Sequence, residues 1–385
     1  MAHQQKNRVF PSVPIDRTLL LVVCSLALWG WIMVYSASVF VADADTNGAN
    51  PNYYGVRHLL YLGTATLAGF LSFHVPSRWW QKSAPMLFFF GLILMVVVLF
   101  PHVGYSVNGA RRWIHIKFLS FQPSEIMKLL AIFYAADYTV RRAAMMYSFK
   151  AGFLPMVIVM VVVGTLLLKE PDFGAFVVIV ATAMAILFLG GINPRIFVVL
   201  LVVLAISFTC IIFFSQYRRQ RLFNFIDPWA DELGKGYQLV HALIAFGRGG
   251  LFGTGLGGSV EKLFYLPEAY SDFLVAVIAE ELGFTGVLVL VSLIAFLTYR
   301  ALDIGWQAIA LGQPFSGLMS QGIGVWLGFQ SVVSLGVNMG LLPTKGLTLP
   351  MMSYGGSAIL SNGIALGILF RIDWENRCVM RGIVL

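Results

Sequence analysis

Apolar runs of membrane-spanning length, repeated from one end to the other, limit what this chain can fold into more than any other feature. The first, Thr18–Val41, holds 24 residues without a charge. A helix of about 17–25 apolar residues crosses a bilayer. Runs of this kind begin near Thr18, His58, Ala84, Pro123, Ala151, Phe173, Ile196, Phe273, Phe315 and Gly346, ten in all, three of them carrying charges. The predicted fold is therefore an all-α polytopic integral membrane protein of about ten transmembrane helices. Residues 1–385 read as a single membrane domain, with a tail at 1–17, a long loop at 215–271 between helices 7 and 8, and a second tail at 372–385. Internal repeats and low-complexity tracts are absent from the sequence.

Composition excludes the soluble alternative. Only 11% of residues are charged and 58% are hydrophobic, against about 25% charged in soluble domains. The net charge of +8 is scattered between apolar runs, which argues against nucleic acid and suits anionic lipid headgroups or a polyanionic substrate. Cys24, Cys210 and Cys378 lie far apart and form no metal or disulfide spacing. The first run is too long for a cleavable signal and reads as a signal anchor.

Lysines and arginines set the orientation. Lys6, Arg8 and Arg17 precede the first run, and Arg78 and Lys82 lie between the second and third. Arg141, Arg142, Lys150, Arg195, Arg300, Arg371, Arg377 and Arg381 fall on that same side, which is taken as cytoplasmic, with both termini on it. The long loop breaks the pattern with Arg218, Arg219, Arg221, Lys235, Arg248 and Lys262, so those cations need another use.

Asp272 stands where this loop becomes an apolar helix. A carboxylate there is partly desolvated yet reaches a polar substrate, the setting of a general base; as a helix N-cap it would be equally at home. Glu268, four residues earlier, is a secondary candidate. Glu280 and Glu281 lie about two turns further on, roughly 12 Å along the helix, at a depth where acids pair inside a bundle. They point about 100° apart on the helix, so one partner cannot serve both, and ion pairing is the favoured role over proton chemistry. Glu125 and Lys128 sit three apart and read either as a self-neutralising pair or, with Arg112, as a phosphate site. Asp137 and Arg141 form an ordinary i,i+4 pair. Lys345, bracketed by Pro343, Gly346 and Pro350, reads as a snorkelling lysine or a diphosphate ligand. The spacing Gly253-x-Gly255-x-x-Gly258 lacks the strand–helix context of a dinucleotide site and predicts a tight, close-packed loop.

An ordered set of motifs carries a resemblance. It comprises Asn108-Gly-Ala-Arg-Arg-Trp-Ile114, Gln122-Pro-Ser-Glu125, Pro171-Asp-Phe-Gly174, Asp227-Pro-Trp229, Gly236-Tyr-Gln238, Ala245-Phe-Gly-Arg-Gly249, Tyr265-Leu-Pro-Glu-Ala269, Ser271-Asp-Phe273, Leu342-Pro-Thr-Lys-Gly-Leu-Thr-Leu-Pro350 and Ser353-Tyr-Gly-Gly-Ser357. Over nearly its whole length the chain resembles the SEDS family (shape, elongation, division and sporulation), its division branch in particular. Tyr270-Ser271 departs from the His-Thr common there. The resemblance implies a septal cell-wall glycosyltransferase of the inner membrane that polymerises lipid II, with Asp272 as the catalytic carboxylate. Sugar transfer from a polyprenyl diphosphate needs a base for the acceptor hydroxyl and cations for the leaving group. Asp272 is taken as the base and Arg112, Lys128, Arg248 and Lys345 as diphosphate contacts, with Glu268 and Glu280 second. A divalent cation (Mg²⁺ or Mn²⁺) is allowed for, no organic cofactor. The implied partners are a class B penicillin-binding protein and other division proteins. A lipid II flippase and a non-catalytic scaffold remain as rival functions.

Overall fold

The structure, a computed structural model, describes residues 15–107, 110–116, 119–214, 219, 225–234, 236–344 and 346–383. Lys345, Asn108, Gly109, Arg218, Arg221 and Lys235 lie outside them. The helices are α1 (Arg17–Asp45), α2 (Tyr53–Phe73), α3 (Ser77–Val98), α4 (Pro123–Arg141), α5 (Leu154–Lys169), α6 (Phe173–Leu189) and α7 (Pro194–Phe213). They continue with α8 (Tyr237–Gly249), α9 (Leu274–Ala310), α10 (Pro314–Asn338) and α11 (Gly356–Met380). Between α3 and α4 stands a small antiparallel sheet in the order β1 (Gly104–Val107), β2 (Ala110–Ile116), β3 (Leu119–Phe121).

Among the described residues, five segments have the length and hydropathy to cross a membrane: Arg17–Asp45, Ser77–Val98, Phe149–Lys169, Leu274–Ala310 and Pro314–Asn338. Helix α4 falls outside this set because of its place in the bundle. On α4 almost every side chain from Pro123 to Thr139 is buried, including Glu125, Lys128 and Asp137; its neighbours are protein, so it carries polarity that a lipid-facing helix could not. By contrast α2 turns Leu59, Leu60, Leu67, Phe70 and Leu71 outward, the face that meets hydrocarbon. Small residues let the inner helices meet closely. A side chain at Gly69 of α2 would lie 2.7 Å from the carbonyl oxygen of Gly363 on α11, and one at Gly367 would lie 2.1 Å from the carbonyl oxygen of Gly69.

Helix α8 forms inside the stretch 215–271 that the sequence reading takes as a loop, and two boundaries near the far end of the chain also differ. The tenth apolar run, expected from Gly346, becomes helical only at Gly356. Pro350, Met351 at φ 64° and the Gly355-Gly356 pair hold the preceding stretch open, and its hydrophobicity comes from packing: Leu347, Leu349, Met351 and Met352 are all buried. The tail expected at 372–385 is helical to Met380. It is held by a charge cluster in which Arg300 of α9 bonds Asp16 at 2.6 Å, Asp373 at 3.3 Å and also Asp303, while Arg377 reaches Asp373 at 2.7 Å. Asp16 also caps α1 through the backbone N–H groups of Thr18 and Leu19, tying α1, α9 and α11 together at one end.

Helix α9 is broken. Gly283 sits at φ 65°, ψ −164°, a conformation glycine reaches without a Cβ penalty. The loop after α8 plugs the gap: Phe284 N–H donates to the Gly250 carbonyl and Thr285 N–H to that of Leu251. Going the other way, Thr254 and Gly255 N–H donate to the carbonyls of Glu280 and Glu281. Gly253 (φ 80°) leaves no room for a side chain, which would lie 2.2 Å from the Glu281 carbonyl oxygen. The expected close-packed glycine loop is this plug.

Candidate functional site

The motif-bearing segments converge. At the start of α4, Gln122 N–H donates to Ser357 Oγ at 2.9 Å. Its side-chain amide donates to Asp172 Oδ2 at 3.0 Å, and Ser124 Oγ donates to the same oxygen at 2.8 Å. Asp172 in turn caps α6 through Ala175 N–H. The Gln-Pro-Ser-Glu, Pro-Asp-Phe-Gly and Ser-Tyr-Gly-Gly-Ser motifs, far apart in the chain, thus share one hydrogen-bonded node.

Asp272 occupies the last turn before α9 and is partly exposed. Asn338, at the end of α10 and wholly buried, places it: Asn338 Nδ2 donates to the Asp272 carbonyl at 2.9 Å, and Ala276 N–H donates to Asn338 Oδ1 at 3.1 Å. One amide thereby fixes the entry of α9 from across the bundle. The carboxylate lies against the 342–350 segment, where a Cβ built on Gly346 would stand 2.7 Å from Asp272 Oδ2. On the other side of that segment a Cβ at Gly174 would stand 3.0 Å from Leu347. The segment therefore lies between Asp272 and the start of α6. Replacing Asn338 with alanine removes the donor to the Asp272 carbonyl and leaves the Ala276 N–H with the Phe273 carbonyl alone (3.0 Å); it should cost about 1–3 kcal/mol, read as a lower unfolding temperature, together with lost activity from a misplaced Asp272.

The expected cations fall into different settings. Arg112, half-buried on β2, directs Nε at the Glu170 carbonyl (3.0 Å) and Nη2 at that of Pro171, so it clamps the α5–α6 turn at the node. Arg248 keeps 43% of its side chain exposed and sits 3.5 Å from Glu280. Lys128 is 1% exposed and bonds Glu125 at 2.8 Å and Gln330 at 2.9 Å; the structure gives it the self-neutralising role. Through Gln330, whose amide donates to the Thr348 carbonyl at 2.8 Å, the pair props the segment beside Asp272. Lys345 lies outside the described residues.

Glu280 accepts from Ser259 Oγ (2.5 Å) and Val260 N–H (2.9 Å) and so anchors the loop between α8 and α9. Glu281 pairs with Lys262 at 2.6 Å and accepts from Ser36 at 2.7 Å. The two acids do take separate partners. Glu268, exposed at φ 57°, accepts from Ser271 Oγ at 2.6 Å and shapes the turn that carries Asp272.

Glu170 has no counterpart in the sequence reading. It lies in the α5–α6 turn, wholly buried, and neither carboxylate oxygen has a hydrogen-bond partner among the described residues. Burial first and the Asp172 carboxylate second push its pKa up to about 8, against the pull of Arg112. The folded state therefore binds a proton that the unfolded chain releases near the ordinary glutamate value of about 4.3. Stability present at acid pH is lost as pH rises from there towards 8. Glu170→Gln should raise the unfolding temperature at pH 8 and leave it unchanged near pH 4.

A chain of long apolar helices around a polar node at their ends is a multi-pass membrane protein. The sequence profile described as cell cycle protein, shared by FtsW, RodA and SpoVE, matches residues 16–378, and the chain belongs to this family, the SEDS proteins. It is 56% identical over 369 residues to the probable peptidoglycan glycosyltransferase FtsW of Aromatoleum aromaticum, covering 96% of this chain and 90% of the relative. With the protein of the same description from Burkholderia thailandensis it shares 52% over 370 residues, covering 95% and 80%. Among solved structures it is similar to a chain from work on structural coordination of polymerization and crosslinking by a peptidoglycan synthase complex (TM-score 0.76, 28% identity, 94% of this chain and 99% of that one). The rod shape determining protein RodA of Thermus thermophilus is also similar (TM-score 0.69, 26% identity, 95% and 98%).

Proposed function

We propose that the protein is a peptidoglycan glycosyltransferase that polymerises lipid II into glycan strands during septal wall synthesis. The observation that carries the reading is the placement of Asp272: a partly exposed carboxylate, fixed from behind by Asn338 and lying against Gly346. In the reaction Asp272 takes the proton of the acceptor sugar hydroxyl as its oxygen attacks the anomeric carbon of the donor. The bond from that carbon to the diphosphate oxygen breaks, and the polyprenyl diphosphate leaves with the electron pair. Attack opposite an α-linked diphosphate gives a β-linkage, an inverting transfer.

Arg112, Arg248 and Lys345 are the cations assigned to the leaving group, since charge developing there is best met by fixed positive groups; Lys128 supports them from within the bundle. The described residues contain no group of three or more His, Cys, Asp or Glu side chains suited to a metal. A Mg²⁺ or Mn²⁺ ion would therefore share Asp272 with substrate oxygens and water, supplying charge to the diphosphate, and no organic cofactor is called for. Both termini are assigned to the cytoplasm on the lysine and arginine pattern. The single membrane domain is taken as 1–385, with 1–17 as the cytoplasmic tail. The likeness to a chain of a peptidoglycan synthase complex supports a class B penicillin-binding protein as partner, within the division machinery at the septum.

Full-length protein reconstituted with such a partner and labelled lipid II should give long glycan strands resolved by gel. Transbilayer movement of the lipid without polymer would establish the flippase instead, and neither activity would leave a scaffold.

A further inference from the structure

The outer end of α2 carries a cation that the proposed reaction does not use. Arg57 stands one turn into the helix, about 6 Å from its start, and just before the apolar run that begins near His58, where a spanning helix would meet headgroups. Its Nη1 donates to Tyr53 Oη and its Nε to Tyr61 Oη, both at 2.7 Å. The guanidinium carbon lies 5.7 Å from the centre of each ring. Among the described residues no carboxylate is within ion-pairing distance of Arg57. Asp45, the acid at the adjoining end of α1, is taken by Tyr54 Oη at 2.6 Å.

A half-buried guanidinium is normally matched by an acid. Here only phenols meet it, and their oxygens are already accepting from Arg57. A phenol that accepts from a guanidinium turns its own O–H elsewhere. Tyr53, 39% exposed, therefore adds a donor beside the remaining N–H groups of Arg57. The cluster offers donors and positive charge at the outer surface, and the complement is an anion with several oxygens.

The cluster is continuous with the segment that bears Asp272. Tyr61 packs against Gly356 and lies 5.7 Å, ring to ring, from Tyr354. The backbone N–H of Tyr354 donates to the Tyr270 carbonyl at 3.0 Å, two residues before Asp272. Tyr54 stacks on Tyr270 at 4.9 Å.

We propose that Arg57 and Tyr53 form a phosphate-binding subsite at headgroup depth beside the Asp272 turn. Its ligand chemistry is a lipid phosphate. A polyprenyl diphosphate as occupant rests on the polymerase reading, whereas an anionic phospholipid headgroup does not. Tyr61 and Tyr354 position Arg57.

Binding is measured directly, without polymerisation, so a failed polymer assay leaves the result standing. Full-length protein in uncharged phosphatidylcholine nanodiscs is titrated with polyprenyl diphosphate or with phosphatidylglycerol and read by native mass spectrometry. Arg57→Gln should weaken one of the two by about tenfold or more, the size of one lost charge-assisted contact. Tyr53→Phe, which removes only an exposed hydroxyl, should weaken the same lipid by about two- to fivefold. Loss confined to polyprenyl diphosphate assigns the subsite to substrate, and loss confined to phosphatidylglycerol assigns it to bulk lipid. Wild-type affinity of both variants for both lipids overturns the proposal; should Arg57→Gln fail to fold, unchanged binding by Tyr53→Phe overturns it alone.

Discussion

Asp272→Ala protein should fold, reach the membrane and bind its partner, yet lose glycan synthesis by about 10²–10⁴-fold, the share a general base contributes. Asn338 holds the backbone carbonyl of residue 272 whichever side chain stands there. Asp272→Asn keeps the shape but cannot take a proton, so it should fail as fully as alanine. Asp272→Glu should recover little, since the added methylene shifts the carboxylate from the place the Asn338-held backbone gives it beside Gly346. Gly346→Ala tests the same contact from the other side: its methyl would intrude 2.7 Å from Asp272 Oδ2 and push the carboxylate away. Normal polymer from Asp272→Asn would remove the residue from the chemistry.

The largest loss of stability is expected at Lys262. Its ammonium is buried against Glu281 (2.6 Å), Ser36 (2.9 Å) and the Gly257 carbonyl (2.9 Å). Lys262→Met leaves Glu281, itself without solvent contact, as an uncompensated charge inside the bundle. Removing one partner of such a pair costs about 3–5 kcal/mol, which should appear as a large drop in unfolding temperature in detergent. The double variant Lys262→Met/Glu281→Gln removes the stranded charge and should recover most of that loss. Equal stability of the single and double variants would show that the pair is not the cause.

How far the sequence could be read depended on the range of the interactions involved. Long apolar runs report burial or lipid contact residue by residue, so the helices were legible, as was the i,i+3 pair Glu125–Lys128. The stretch 346–355 misled because lining a packed interior needs the same leucines and methionines as crossing a membrane. Lys262 was visible as a cation out of place, but its partner depends on the loop at 250–255 turning back into the break at Gly283, which no spacing encodes. Asn338 and Gln330 could have been suspected as amides within an apolar helix. Arg57 and Glu170 could not: each is defined by what does not surround it, and that is a property of the folded state alone.

The glycine contacts between α2 and α11 bring the two backbones together with no side chain between them. No fatty or isoprenoid tail can thread that seam. Further along, Tyr61 packs against Gly356, so the tyrosine end of α2 also meets the serine-bearing start of α11. Lifting the Ser357 end away from Gln122 would therefore disturb the Tyr61 contact that holds Arg57.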